Sequence, residues 1–410
     1  MAKVVAMVLA GGRVDELGVL TYYRPKSTMP YGALYRIIDF PLSNLMVSGI
    51  EQVGILSQYR SSSLVEHIGT GASWDMVGRN RHITILPPFH GVNATDWYKG
   101  TADAVYQNLD FLDSLKPELV MILSGDHIYQ MDYQNLIEFH QEAGADMTAA
   151  FVKVPLEGAG RFGLGVIDSG DPRGGKLIKY AEKPETPISN WASLTIYLFS
   201  WPVLEQVLKD NVANESHEFG RDILPYMLNS YNVYAFKFYG YWGYSRTVEE
   251  YWQANMDLLG TSPKLDISKW IVRTNLDHEA IRDRGPAVIG PEASVKDVRF
   301  YNGVTIEGEV ENSILFPGVQ VSAGAVVRDS ILFFDTQIGP GARVEKSILD
   351  IGVSIGCEAC IGKSGNDVCL VGTGTRIPQK ITIEAGSSVA PDLREDVFSQ
   401  SVYRAGSVIE

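Results

Sequence analysis

Val304, Val321, Ile338 and Ile355 stand seventeen positions apart, and Val310, Val327, Val344 and Ile361 follow them by six residues each. The tripeptide Ser-Ile-Leu keeps the same step, beginning at Ser313, Ser330 and Ser347. One inward side chain per short flat face, with nearly three six-residue faces to a turn, is the pattern of a triangular parallel β-helix. Five or so coils fit between Ala287 and Leu393. A sandwich of short hairpins is the competing arrangement, but hairpins would not hold a constant step through four units. A β-helix also suggests an acyltransferase; residues 287–410 contain no histidine, which counts against that chemistry there.

Residues 1–259 have another texture. The runs VVAMVLA, VGILS and LVMILSGD alternate with helical stretches near 41–48 and around Leu64. This alternation predicts a Rossmann-like α/β domain with a mostly parallel sheet, in which ligands sit beyond the carboxyl ends of strands. The expected division is that α/β domain at 1–259, a linker at 260–286, a left-handed parallel β-helix at 287–395 and a tail at 396–410. A chain of 410 residues is too long for one core, which fits two domains. Its net charge of -14 opposes nucleic acid and anionic membrane surfaces as partners, so any phosphate ligand needs a local site. No apolar run reaches the roughly 20 residues of a membrane span, and MAKVVAMVLAGG reads as a first strand rather than a signal peptide. Cys357, Cys360 and Cys369 are too few for a disulfide framework or a four-ligand zinc site, which suggests packed thiols in a reducing, cytoplasmic setting.

Four stations follow predicted strands or open helices. Gly11-Gly12 lets backbone N–H groups approach a phosphate, although a strand-end glycine pair is also a common structural device. Asp126, in Leu-Ser-Gly-Asp-His, can reach a Mg²⁺ ion that also binds phosphates, or can simply cap a turn. Glu182-Lys183-Pro184 offers an acid beside a cation, as a sugar phosphate requires, or an exposed surface pair. Trp97-Tyr98-Lys99-Gly100-Thr101 places aromatic rings before a helix start, suited to stacking on a base or to burial in a core.

The words LAGGR (9–13), YRIIDFPLSN (35–44), WYKGTADAVYQNLD (97–110), LSGDHIYQMDY (123–133), AEKP (181–184), FGRDILP (219–225) and EYWQANMDL (250–258) join these stations. In that order, and followed by the coil, they resemble the glucose-1-phosphate adenylyltransferase (ADP-glucose pyrophosphorylase) family over nearly the full length. The resemblance implies a nucleotidyltransferase domain that makes ADP-glucose and diphosphate from ATP and glucose 1-phosphate with Mg²⁺, towards glycogen or related α-glucans. It also implies a homotetramer, or a hetero-oligomer with a paralogue, controlled by a phosphorylated metabolite. By position, Gly11, Gly12, Gly100 and Thr101 would lie at ATP, Asp126 would bind the metal, and Glu182, Lys183 and Ser193 would hold glucose 1-phosphate. Lys26 matches a family lysine on the phosphate and effector side. Gln58 and Trp97 would belong to loops that relay activation.

The chain also departs from that pattern. The family loop usually reads GGRGTRL, whereas Val14-Asp15-Glu16-Leu17 follows Arg13 here, so Glu16 stands where a phosphate-facing arginine is expected. A sign reversal about 4 Å from a phosphate shifts the interaction by roughly 8 kcal/mol at an effective dielectric of about 20. Taken wholly into the barrier, that is on the order of a million-fold in rate. Tyr244, in Trp-Gly-Tyr-Ser-Arg-Thr, replaces a second metal carboxylate, and Arg246 follows as a possible phosphate cation. Pro88-Phe89-His90 replaces a base-reading glutamine, and Thr195 would crowd a sugar loop. These departures leave three readings open: an active enzyme with a rearranged loop, a non-catalytic regulatory subunit or metabolite sensor paired with a competent paralogue, and transfer of another nucleotide to another sugar phosphate.

Overall fold

The computed structural model describes residues 2–12, 14–88, 97–168, 170–363 and 365–410; Arg13, Phe89 and His90 lie outside the described residues. Two compact units are present, one made of Met1–Gly12, Phe40–Ser61 and Ile68–Trp242, the other of Arg13–Asp39, Ser62–His67 and Gly243–Glu410. Segments 13–39 and 62–67, expected in the α/β domain, therefore group with the coil-bearing unit.

In the first unit, β1 (Val4–Leu9), β2 (Gln52–Leu56), β3 (His82–Leu86), β4 (Leu119–Ser124), β5 (Met147–Lys153), β6 (Gly163–Ile167), β7 (Gly174–Glu182), β8 (Trp191–Ser200) and β9 (Val233–Phe238) build one sheet. Their spatial order is β3-β2-β1-β4-β8-β5-β9-β7-β6. Neighbours are parallel across β3-β2-β1-β4 and between β5 and β9. They are antiparallel where β8 enters between β4 and β5, and along β9-β7-β6. The near-continuous apolar runs of β1 and β4 suit central strands covered on both faces. Val5, Met7, Val120 and Ile122 are fully buried in one core with Val105, Leu112, Leu204 and Val207 from the covering helices.

Helix Gln134–Glu142 contributes His140, which is buried with Nδ1 2.9 Å from the Thr148 hydroxyl. Burial lowers its pKa to about 4, against a smaller opposing pull from Asp146. The unfolded chain then binds the proton more tightly. This group's contribution is intact above about pH 6.5 and is lost as pH falls towards 4. The melting temperature of the wild type is expected to fall across that window, and His140→Gln to flatten the fall. Parallel curves for the two proteins would refute this.

In the second unit, short strands stack in parallel on three faces. One face runs through Val288–Ile289, Thr305–Ile306, Gln320–Val321, Gln337–Ile338, Ser354–Ile355 and Arg376–Ile377. The long strand Glu309–Leu315 turns a corner and belongs to the other two faces. Val310, Val327, Val344 and Ile361 are register partners at the expected step, and all are buried. The first step of the other series differs. Ile306, rather than Val304, pairs with Val321, although Val304 is buried as well. Beyond Ile361 the step widens, so that Ile377 partners Ile355 and Leu370 partners Ile348, and the later turns do not return to seventeen.

The recurring serines explain one corner. Asn312, Asp329 and Lys346 take positive φ of 44°, 49° and 39°, turning the chain sharply. The next residue of each rung, Ser313, Ser330 or Ser347, donates its hydroxyl to the carbonyl two residues back. Ser313 and Ser330 each also accept the N–H of the serine above, at 3.1 and 3.2 Å. Polar backbone at the bend is thereby satisfied inside the stack. The segment expected as a tail continues the coil, since Val402–Tyr403 and Val408–Ile409 pair with Thr382–Glu384 and Ser388–Val389.

Segment 13–39 is held in this unit by buried polar contacts. Arg24 NH2 lies 2.5 Å from both carboxylate oxygens of Asp350, and the Thr373 hydroxyl donates to Asp350 Oδ2 at 2.8 Å. Arg36 donates through Nε to His67 Nδ1 at 3.2 Å, which leaves the His67 Nε2 proton for Asp39 at 2.5 Å. Among the described residues, no helix is long and apolar enough to cross a membrane.

Candidate active site

Leu9 and Ser124 are register partners at the carboxyl ends of parallel strands β1 and β4, so the loops bearing Gly11-Gly12 and Gly125-Asp126 leave the sheet side by side. The Gly125 N–H donates to the Leu9 carbonyl at 2.9 Å, which ties the two loops together. Gly11 is sterically required, because a Cβ there would come 2.5 Å from the Gln58 backbone nitrogen. A Cβ at Gly12 would meet nothing within 4 Å, and this is the open position of the pair.

Gln58 joins the glycine loop to the aromatic segment. Its Oε1 accepts the Tyr98 N–H at 2.5 Å. Trp97 beside it is 68% exposed, so it is a surface ring rather than a core residue. Gly100 opens the short helix Thr101–Tyr106, and a Cβ there would run into the carbonyls of Ser216 and His217. The Thr101 hydroxyl accepts the Phe219 N–H at 3.1 Å, pinning the start of the FGRDILP word.

Asp126 receives the Ser124 hydroxyl and has His127 Nε2 at 3.6 Å. His127 is a residue that sequence reasoning passed over. Its Nδ1 lies 3.2 Å from the Leu194 carbonyl, and its ring is 5.6 Å from that of Trp242. Trp242 in turn lies 5.3 Å from Phe162, whose carbonyl accepts the Lys183 N–H. A continuous row of contacts therefore runs from Asp126 to Lys183. A repeated His, Trp and Phe spacing could not have signalled it, since the three rings come from distant segments.

The residues expected on the sugar side lie across β6, β7 and β8. Glu182 pairs with Gly163, and the adjacent Leu164 pairs with Ala192 beside Ser193. The register of β8 slips between Ser193 and Tyr197, and Thr195 there has φ of 53°, an uncommon conformation for a β-branched residue. The slip directs the Thr195 N–H to Ser193 Oγ at 3.4 Å and the Leu194 carbonyl to His127.

Lys26, Glu16, Tyr244 and Arg246 belong to the second unit. Arg246 Nε lies 2.9 Å from Glu16 Oε1, and the Lys26 ammonium is 5.4 Å from the Tyr244 ring centre. Burial disfavours the charge on Arg246, but hydrogen bonds to Tyr244 and Glu16 outweigh it and raise the pKa. The Arg246 N–H and the capping box of Thr247 and Glu250 set this segment at the start of helix Val248–Met256. Glu16 is half of an ion pair, so the carboxylate's share of the penalty derived for the sign reversal is offset, while the share due to the missing arginine remains. Being half exposed, the pair contributes little to stability, under about 1 kcal/mol.

An α/β sheet with a glycine loop and a carboxylate on paired strand ends, followed by a hexad coil, defines a nucleotidyl transferase with a hexapeptide-repeat domain. Residues 5–261 match the family described as nucleotidyl transferase, and residues 290–367 match that described as GlmU-like, C-terminal hexapeptide. Among relatives named glucose-1-phosphate adenylyltransferase, the protein of Thermotoga neapolitana is 45% identical over 334 residues, 80% of this chain and 77% of its own. That of Clostridium perfringens is 44% identical, covering 80% and 82%, and that of Geobacillus stearothermophilus 42%, covering 80% and 83%. The chain belongs to the glucose-1-phosphate adenylyltransferase family.

Nucleotidyltransferases of this kind generally use divalent metal ions. Among the described residues, no group of three or more His, Cys, Asp or Glu side chains could enclose one. Asp126 fits a narrower role, that of a single partly exposed carboxylate for an ion that takes its other ligands from phosphate oxygens and water.

Proposed function

We propose that this chain transfers the adenylyl group of ATP to glucose 1-phosphate, releasing diphosphate and forming ADP-glucose for α-glucan synthesis. A phosphate oxygen of the sugar attacks the α-phosphorus as the bond to diphosphate breaks. The nucleophile is already anionic, so alignment and charge cancellation matter more than a base. The observation that carries this reading is the placement of Gly11-Gly12 and Asp126 on partnered strand ends, with a row of contacts leading on to Lys183.

In this proposal Gly11, Gly12, Gly100 and Thr101 attend ATP, and Glu182, Lys183 and Ser193 hold glucose 1-phosphate. Asp126 holds Mg²⁺, which when bound neutralises phosphate charge. Lys26 supplies a phosphate-side cation. Gln58 and Trp97 relay activation by a phosphorylated metabolite in a tetramer, and the protein works in the cytoplasm. The proposed division is an α/β domain to about 259 and a linker to about 286, with the coil running on past 395 through Val402–Tyr403 and Val408–Ile409.

Purified chain given ATP, glucose 1-phosphate and Mg²⁺ is expected to form ADP-glucose by itself. A strong preference for UTP or dTTP would instead assign it another nucleotide. Silence that is relieved by Glu16→Arg with Tyr244→Asp would make it a regulatory subunit. If pairing with Arg246 is what makes Glu16 tolerable near phosphate, Arg246→Ala raises KM for ATP about tenfold, a change equal to about 1.4 kcal/mol. Adding Glu16→Gln should restore most of that loss. An unchanged KM in Arg246→Ala would remove the compensation argument.

A further inference from the structure

Glu182 ends β7 with its carboxylate turned onto Tyr180, two residues earlier on the same strand face. The Tyr180 hydroxyl donates to Glu182 Oε2 at 2.5 Å. The Tyr180 side chain is buried, its ring in edge contact with Phe151 at 6.5 Å. Burial, with Tyr197 and Glu182 nearby, pushes the Tyr180 pKa far upward, so the hydroxyl stays protonated and remains a donor.

Space for this pair is made by two glycines from different segments. A Cβ on Gly163, the register partner of Glu182, would run into the Tyr180 hydroxyl and would come 2.6 Å from Glu182 Oε2. A Cβ on Gly220, in the helical turn Phe219–Ile223, would also run into Oε2 and would stand 3.0 Å from the Tyr180 hydroxyl. Ser193 and Tyr197 lie close by, with their hydroxyl oxygens 3.5 Å apart. A surface ion pair would need neither the glycines nor the buried donor. The arrangement holds one carboxylate in one orientation.

We infer that Tyr180 is a positioning residue for the sugar side of the site: by occupying Oε2 of Glu182 it presents Oε1 to a single hydroxyl of the hexose 1-phosphate and so sharpens selection among epimers. This inference rests on the adenylyltransferase reading. A carboxylate free to rotate accepts from whichever hydroxyl is near, whereas a held one rewards only the hydroxyl placed correctly.

The test is steady-state kinetics of the full-length chain bearing Tyr180→Phe, with direct binding of glucose 1-phosphate by calorimetry. KM and Kd for glucose 1-phosphate are expected to rise about tenfold, the scale of one hydrogen bond to a charged group. The KM for ATP stays within twofold, kcat falls by less than threefold, and the preference for glucose 1-phosphate over galactose 1-phosphate shrinks. Gly220→Ala, which presses on the same carboxylate from the other side, should reproduce the split. Wild type that binds and converts glucose 1-phosphate, with Tyr180→Phe matching it in KM, Kd and epimer preference, overturns the inference while leaving the function intact. Wild type that neither binds nor converts glucose 1-phosphate overturns both.

Discussion

Asp126→Asn is expected to lower kcat/KM for ADP-glucose formation by about three orders of magnitude at saturating Mg²⁺. The size follows from the site's dependence on charge placement. A bound cation is worth several kcal/mol to a reaction that concentrates negative charge on phosphate oxygens, and about 4 kcal/mol corresponds to a thousandfold. Among the described residues no acidic cluster stands ready to replace this carboxylate. The effect should appear in the metal dependence, with the concentration of Mg²⁺ needed for half-maximal rate rising steeply. The thermal midpoint should barely move, because the side chain is partly exposed at a strand end. A loss of less than tenfold with an unchanged metal requirement would remove Asp126 from the metal-binding role.

The second large effect concerns stability. Asp350 is fully buried, and Arg24 opposite it is 5% exposed. Asp350→Ala strands a buried guanidinium and is expected to destabilise the protein by about 3–5 kcal/mol. Arg24→Met combined with Asp350→Ala should recover most of that loss, since removing both charges leaves nothing buried and unpaired. Chemical denaturation of the single and double variants, followed by intrinsic fluorescence, measures both quantities. Equal stability of Asp350→Ala and wild type would show that Arg24 finds water when its partner is gone.

Legibility differed between fold and site for a physical reason. The coil could be read from residue spacing because each rung repeats the same inward choice, and the partners of Val310, Val327, Val344 and Ile361 lie where counting puts them. Counting misses the first and later steps. Ile306 replaces Val304 as the partner of Val321 because the corner from Ile306 to Val310 is two residues shorter than the corresponding corner from Val321 to Val327. The glycine and aspartate loops were legible because they follow apolar runs that can only be strands. The neutralisation of Glu16 was not, since Arg246 lies 230 residues away and only the fold brings it near. Tyr180 escaped notice for the opposite reason: its partner is two residues off, but its role is defined by glycines on two other segments.

The widened step after Ile361 has a practical meaning for this molecule. Rungs on either side keep partners on every face: Ile348 with Leu370, Ile355 with Ile377, Ile361 with Ile383. The added residues fall between Ile361 and Cys369, and among the described ones Asp367 accepts the Gly386 N–H at 3.2 Å, so this corner rests on the turn that follows. Because each turn answers only to its neighbours, a longer insertion at that corner would be felt first at the Ala385–Gly386 bend, and not by the rungs before Val344.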